Sequence, residues 1–319
     1  MSMLGPTVAR RYHAVASHAV FSDSNRAEAS PSIEGSGSPS FHRNLELLFS
    51  KVARLASLPL MADRILRLPL DQQFSGRALV EVIKSDPAMT ASIMRRVNSS
   101  YFGMTRKVSD LSRAANLLGA YELRNLALTV LVKRMFDRPA HYGRYDREAL
   151  WRHCLAVAVS ARKIARVTGA VPQHEAYVSG LMHHVGTLLI DLHMRSRFCQ
   201  LIELLEDGSS TYLQERRLLS FDQSQLGEYI VRLWNFPAKV AEAIRYHEYP
   251  HEYLGEHEKL VYVVSLADYL CSRAGMTALG VFNTKPPADI AYATLGIDRV
   301  ALAIIWDDLL NHLAQATSF

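Results

Sequence analysis

The chain has 319 residues, 49% of them hydrophobic and 21% charged, with a formal net charge of +5; these are the proportions of a globular protein with ample material for a core. No apolar run reaches the roughly 18 uninterrupted residues of a membrane helix, and His13 and His18 interrupt the apolar stretch after Arg10 and Arg11, which excludes the core of a secretory signal. Cys154, Cys199 and Cys271 lie far apart in apolar, helix-like contexts and no CxxC occurs, so they read as buried small hydrophobes in a reducing cytoplasm.

Residues 1–40 read as a disordered tail, because the Ser, Gly, Pro, Asn and Asp crowding residues 22–40 leave no apolar periodicity to offset the entropy of ordering. From Phe41 the pattern changes. Leu45, Leu48, Phe49, Val52 and Leu55 recur at three- and four-residue intervals, the spacing of an amphipathic helix. Ser57-Leu58-Pro59 breaks it. A helix over residues 61–68 follows, then one that Ser75 can cap, with Leu79, Val80 and Ile83 inward. Asp86 at N-cap and Pro87 at the first helical position start another, carrying Met89, Ile93, Met94 and Val97 and ending near Asn98-Ser99-Ser100. Residues 111–118 and 123–135 are helical, and residues 139–143 read as a connection between two halves.

Between residues 84 and 152 there are thirteen Lys and Arg against six Asp and Glu, a local excess of seven positive charges. Such a stretch suits nucleic acid, a nucleotide or an acidic protein, and it equally suits a solvated helical face. The second half again reads as helices, at about 148–167, 175–192, 196–206, 212 onward, 224–234, 238–247, 260–273 and 299–314. The fold class expected is therefore all-α, with helical subdomains at 41–140 and 141–319.

Asp268 is the only charge in residues 260–272, a segment apolar on nearly every side. A helix of that kind is buried, and a buried carboxylate requires a cation, a metal or several donors; a hydrogen-bonded aspartate tying two helices together meets the same need. His153 lies on an apolar stripe with Leu150, Val157, Ala161 and Ile164. His183 and His184 sit in Gly180-Leu-Met-His-His-Val-Gly186, where small residues allow close helix approach, and His247 closes another helix. A single histidine on an apolar face is usually a core residue, but four with a buried aspartate form a donor set suited to Zn, Fe, Mn or Ni.

These motifs together resemble the HDOD family, a divergent branch of the HD-domain phosphohydrolase superfamily. The N-terminal set is Leu58-Pro59, Ile83-Lys-Ser-Asp86-Pro87-Ala-Met-Thr90, Arg95-Arg-Val-Asn98-Ser99-Ser-Tyr101-Phe-Gly103 and Ala114-Ala-Asn-Leu-Leu118-Gly119. The C-terminal set is Trp151-Arg-His153, residues 180–186, Leu233-Trp234-Asn-Phe-Pro237, His247 and Ala267-Asp268, so the resemblance runs from about Phe41 to Cys271. It implies an HD-like C-terminal subdomain. It also implies that the superfamily's early histidine, His-Asp pair and late aspartate fall at His153, His183-His184 and Asp268. The further histidines of two-metal members would fall at Gln223 and at His247-Glu248. The chain keeps His153, His183, His247 and Asp268 and departs at His184, where the paired aspartate would stand, and at Gln223.

The resemblance thus leads to a degenerate HD site made of His153, His183, His184, His247 and Asp268, with no catalytic residue. No cofactor is required, although His153, His183 and Asp268 could hold a single divalent metal ion. The function expected is regulatory, through contacts with signalling proteins and a small ligand in the old cleft, with no membrane partner. Arg95, Arg96, Asn98, Ser99 and Tyr101 form the candidate interaction patch between the subdomains, unless Asn98 and Ser99 merely end their helix. Two other readings stay open. One is a metal-dependent phosphodiesterase with altered ligands, and the other is a nucleotide- or nucleic-acid-binding regulator that uses the basic stretch.

Overall fold

Several helix starts among the described residues are fixed by side chains that take up unpaired N–H groups of the first turn. In the computed structural model, which describes residues 47–52, 60–69, 75–99, 107–282 and 285–316, Asp86 accepts from the Met89 N–H at 2.9 Å and Pro87 opens the helix. The tail at residues 1–40, the break at Ser57-Leu58-Pro59, Tyr101 and Gly103 lie outside the described residues.

The N-terminal helices are α1 (Leu60–Leu66), α2 (Ser75–Lys84), α3 (Pro87–Val97), α4 (Leu111–Leu118) and α5 (Ala120–Met135). They bury Ile65, Leu79, Ile83, Met89, Ile93, Val97 and Leu123 completely. α5 is buried over most of its length because α1 to α4 pack on it and its far side meets the C-terminal helices. Arg134, in its last turn, reaches back to Asp86 at 2.9 Å, joining the end of α5 to the start of α3.

Asp86→Ala is expected to cost about 1 kcal/mol in urea denaturation, the usual value of a lost N-cap. The Arg134 hydrogen bond, followed by the Met89 N–H, holds the Asp86 carboxyl below its ordinary range. A depressed carboxylate contributes fully above its unfolded value and loses its contribution as pH falls through the folded one. The gap between wild type and Asp86→Ala should therefore close in acid.

Residues 139–143, expected as a connection, contain a short strand. They lead into a two-stranded antiparallel hairpin, β1 (His141–Tyr142) and β2 (Tyr145–Asp146), with Tyr142 opposite Tyr145 and Gly143 at φ +56. Its anchor is Tyr145, completely buried, whose hydroxyl donates to Asp191 at 2.8 Å. Asp146 then caps the long helix α6 (Arg147–Thr168).

Around α6 stand α7 (Gln173–Met182), α8 (Val185–His193), α9 (Arg195–Leu204), α10 (Thr211–Leu219), α11 (Gln223–Leu233), α12 (Ala238–Tyr246), α13 (Glu258–Arg273), α14 (Asp289–Leu295) and α15 (Arg299–Ala316). The helix α14 has no counterpart in the sequence reading. The helix expected over 175–192 is two, α7 and α8, broken at His183-His184. Small residues set the spacing, as the pattern in 179–186 suggests. A Cβ on Gly180 would lie 2.9 Å from the Ala158 backbone of α6. The described residues from Leu47 onward belong to one compact unit, and among them no helix is long and apolar enough to cross a membrane.

Candidate metal centre

The break between α7 and α8 brings two adjacent histidines to one place. On a continuous helix neighbouring side chains diverge by about 100°. Here His183 ends α7 with helical backbone, while His184, at φ −106 and ψ 21, leaves the helical region. Their ring centroids are 4.2 Å apart. His153 comes from the inner face of α6, with ring centroids 5.1 Å from His183 and 5.2 Å from His184. His247, just past α12, stacks edge-on to His183 at 5.0 Å. Asp268 comes from α13, whose buried apolar surroundings make it the isolated charge the sequence indicates. All five residues are buried.

Backbone acceptors fix the imidazole tautomers. His153 Nδ1–H donates to the Met276 carbonyl at 2.7 Å, His183 Nδ1–H to the Gly180 carbonyl at 2.6 Å, and His247 Nδ1–H to the Ile244 carbonyl at 2.8 Å. Because a carbonyl can only accept, each Nδ1 carries the proton, and in the neutral ring each Nε2 presents a lone pair. His184 Nδ1 is tied to the Thr187 hydroxyl at 3.0 Å.

The free nitrogens converge. His153 Nε2 is 3.1 Å from His183 Nε2 and 3.1 Å from Asp268 Oδ1, and His183 Nε2 is 3.8 Å from the same oxygen. Ligands about 2.0–2.2 Å from a common ion stand roughly 2.8–3.6 Å apart at octahedral to tetrahedral angles. Lone pairs at such spacings repel unless a cation stands among them, either a proton on one imidazole or a metal ion bound to several. His184 adds a ring nitrogen, and ligand atoms of His153, His183, His184 and Asp268 all lie within 4.8 Å of one another.

Protonation states favour the same outcome. Burial lowers the His183 pKa against the opposing pull of Asp268. Burial, followed by the neighbouring imidazoles, holds His184 well below its ordinary value. Burial and His183 bring His247 down to about 3. For Asp268, burial pushes upward, but the His153 and His183 imidazoles beside it outweigh burial and keep the carboxyl well below the usual range. Neutral imidazoles beside an ionised carboxylate are the form in which these groups bind a metal.

A second polar group adjoins the first. Gln223 Nε2 donates to Glu248 Oε1 at 2.8 Å and to Ser224 Oγ at 3.0 Å, and lies 3.4 Å from His247 Nε2. Glu215, completely buried on α10, accepts from the Gln223 backbone N–H at 2.8 Å. Burial, with Glu248 beside it, raises the Glu215 carboxyl well above its ordinary value, and burial raises Glu248 to about 7. Asp222 caps α11 and is held by Arg216 at 2.7 Å and by the Tyr249 hydroxyl.

The remaining candidates lie elsewhere. Asn98 donates to the carbonyls of Met94 at 2.9 Å and Val108 at 3.1 Å and accepts from the Val108 N–H at 2.7 Å. Ser99 donates to the Arg96 carbonyl. Both side chains bond the backbone at the end of α3, and Asn98 also pins residue 108 to it. Arg95 is exposed and Arg96 half-buried. The basic stretch is partly spent on ion pairs within the protein: Arg147 with Asp191 in the interior, and Lys133 with Glu148 and Arg134 with Asp86 nearer the surface. Sequence reasoning missed Met276, which acts through a backbone carbonyl that carries no sequence signature. It also missed Thr187 and Glu215; only the i, i+3 spacing from His184 could have indicated Thr187.

The HDOD domain profile matches residues 55–250. The fold is shared with an HDOD domain protein of unknown function from Geobacter sulfurreducens, with a TM-score of 0.70 and 23% identity over 86% of this chain and 97% of that one. A Marinobacter aquaeolei VT8 protein, provisionally described as a signal transduction protein, gives 0.72 and 24% over 87% of this chain and 64% of that one. A Shewanella amazonensis SB2B protein, provisionally described as a phosphohydrolase, gives 0.66 and 22% over 84% and 95%. At such identities the likeness is one of fold. An uncharacterized protein of Treponema pallidum (strain Nichols) is 24% identical over 238 residues, which are 71% of this chain and 46% of the relative, so the chain spans about half the length of the curated relative it matches. With the profile covering well over half of its residues, the chain belongs to the HDOD domain family.

Proposed function

We propose that this chain is a regulatory HDOD protein of the cytoplasm that acts through contacts with signalling proteins and has no phosphohydrolase turnover. In this reading its HD-like centre is a buried cross-link between α6, the α7–α8 break and α13. The observation that carries the reading is the burial of the cluster: the His153 and His183 side chains are 1% and 0% exposed and Asp268 is 13% exposed. A phosphoester would have to reach reacting groups enclosed by protein. The charge balance points the same way. His184 brings a neutral ring where a second carboxylate would offset the charge of an ion and help orient water. A divalent ion, if bound, would be held by His153, His183 and Asp268 with His184 beside them, and would supply Lewis acidity and electrostatic cross-linking.

The signal-transduction description of the Marinobacter protein agrees with this reading, and the three free cysteines suit a reducing compartment. The test is turnover of bis-p-nitrophenyl phosphate, nucleoside phosphates and cyclic dinucleotides by the full chain with Mn²⁺, Fe²⁺, Zn²⁺ or Ni²⁺. We expect no activity near the roughly 1 per second of an ordinary slow enzyme. Turnover at that rate, abolished by His183→Ala, would replace the regulatory reading with the hydrolase one.

A further inference from the structure

The second polar group, around His247, Glu248 and Gln223, lies beside the proposed ion site and takes no part in it. His247 Nε2 is a bare lone pair, since its Nδ1–H is given to Ile244. Glu248 Oε1 lies 3.9 Å from it. Glu215 brings a further carboxyl group, one oxygen of which is buried without a hydrogen-bond partner. Asp222 takes no part, because Arg216, Tyr249 and its own helix occupy it. Left to themselves, His247 Nε2 and Glu248 Oε1 form a pair of acceptors open to a cation, next to the four-residue cluster.

The carboxamide of Gln223 meets both. Its –NH₂ is 2.8 Å from Glu248 Oε1 and 3.4 Å from His247 Nε2. Rotating the amide by half a turn would set its oxygen against a carboxylate and a lone pair. The observed orientation is thus the one electrostatics requires, and it has a consequence: Gln223 Oε1 is left buried with no partner. A buried acceptor without a partner calls for a physical reason, and the contacts of the –NH₂ at the other end of the group supply one.

We infer that Gln223 is a built-in stopper, its –NH₂ standing between His247 and Glu248 where a second cation would bind. The ion capacity of the chain then ends at His153, His183, His184 and Asp268. The inference builds on the reading that those four residues suit an ion, but its test reads a difference between proteins and is independent of whether that ion is bound.

The full chain, Gln223→His and the double variant Gln223→His/His247→Ala would be stripped with chelator, equilibrated with Mn²⁺ or with Zn²⁺, desalted, and assayed for metal per chain by plasma mass spectrometry. Circular dichroism would establish that each is folded. Gln223→His is expected to hold about one more ion per chain than wild type, and His247→Ala in that background should remove the gain. The wild-type value separately reports on the first cluster. A folded Gln223→His that gains no metal overturns the inference, and so does a wild-type chain that already loses an ion on His247→Ala alone. If Gln223→His does not fold, Gln223→Ala replaces it. With the donor gone and nothing added, its melting temperature should rise with Mn²⁺ by more than that of wild type, and an equal response overturns the inference.

Discussion

Gly186→Ala should be among the most damaging single substitutions in this chain, with an expected loss of at least about 3 kcal/mol. A Cβ at that position would lie 1.9 Å from the Gln223 carbonyl oxygen and 2.7 Å from its carbon. Both are backbone atoms at the start of α11, so no rotamer change relieves the overlap and α8 and α11 must separate. In an unconstrained helix the same change would be favourable by about 1 kcal/mol, so the sign of the effect reports on the contact. Gly227→Ala is the control. Its Cβ would meet Ile244 Cγ2 at 3.0 Å, the end of a side chain that can shift, and it should cost clearly less. Guanidinium denaturation of both variants checks the ordering, and a Gly186→Ala protein as stable as wild type would refute the close approach.

The second large effect is expected at Asp191. Its carboxylate is completely buried and is held by Arg147 at 2.7 Å, by the Tyr145 hydroxyl at 2.8 Å, and by Arg195. Asp191→Ala would leave the Arg147 guanidinium, only 6% exposed, without its counter-charge. Removing one partner of a buried pair costs about 3–5 kcal/mol, because the other charge stays buried. Arg195→Ala should cost much less, since Arg195 is 39% exposed and water can replace it. Denaturant melts of the two variants should keep that order, and equal losses would mean that the hairpin anchor carries no special weight.

Much of the architecture is legible from periodicity. The apolar spacing in residues 87–97, with Asp86-Pro87 before it, marks α3 almost to the residue, because capping and amphipathicity are local properties. Asp268 is legible for another reason: a lone charge in an apolar helix needs a partner, and the structure gives it His153 and His183. The break at His183-His184 is not legible. No proline or turn signal precedes it, and the chain departs from helix there because α8 packs against α11, a long-range contact. The same holds for Glu215 and Arg147, which sit in polar-looking sequence yet are buried by helices distant along the chain. His184 shows the opposite limit. Read against the family pattern it is a lost carboxylate, whereas in space it is another nitrogen donor.

The bond from His153 Nδ1 to the Met276 carbonyl joins residues 123 positions apart. Loop-closure entropy grows only with the logarithm of loop length, so closing this span rather than the 30 residues from His153 to His183 adds only about 1 kcal/mol. What the long span sets is a dependence between distant parts. Without α13 docked to deliver residue 276, His153 lacks the acceptor that fixes its binding tautomer. The part matching the family profile stops at residue 250, before both Asp268 and Met276. A fragment cut there would keep His153, His183, His184 and His247 but lose the cluster's carboxylate and the lock on its first imidazole. The integrity of the centre is thus a measure of whether the C-terminal helices are docked.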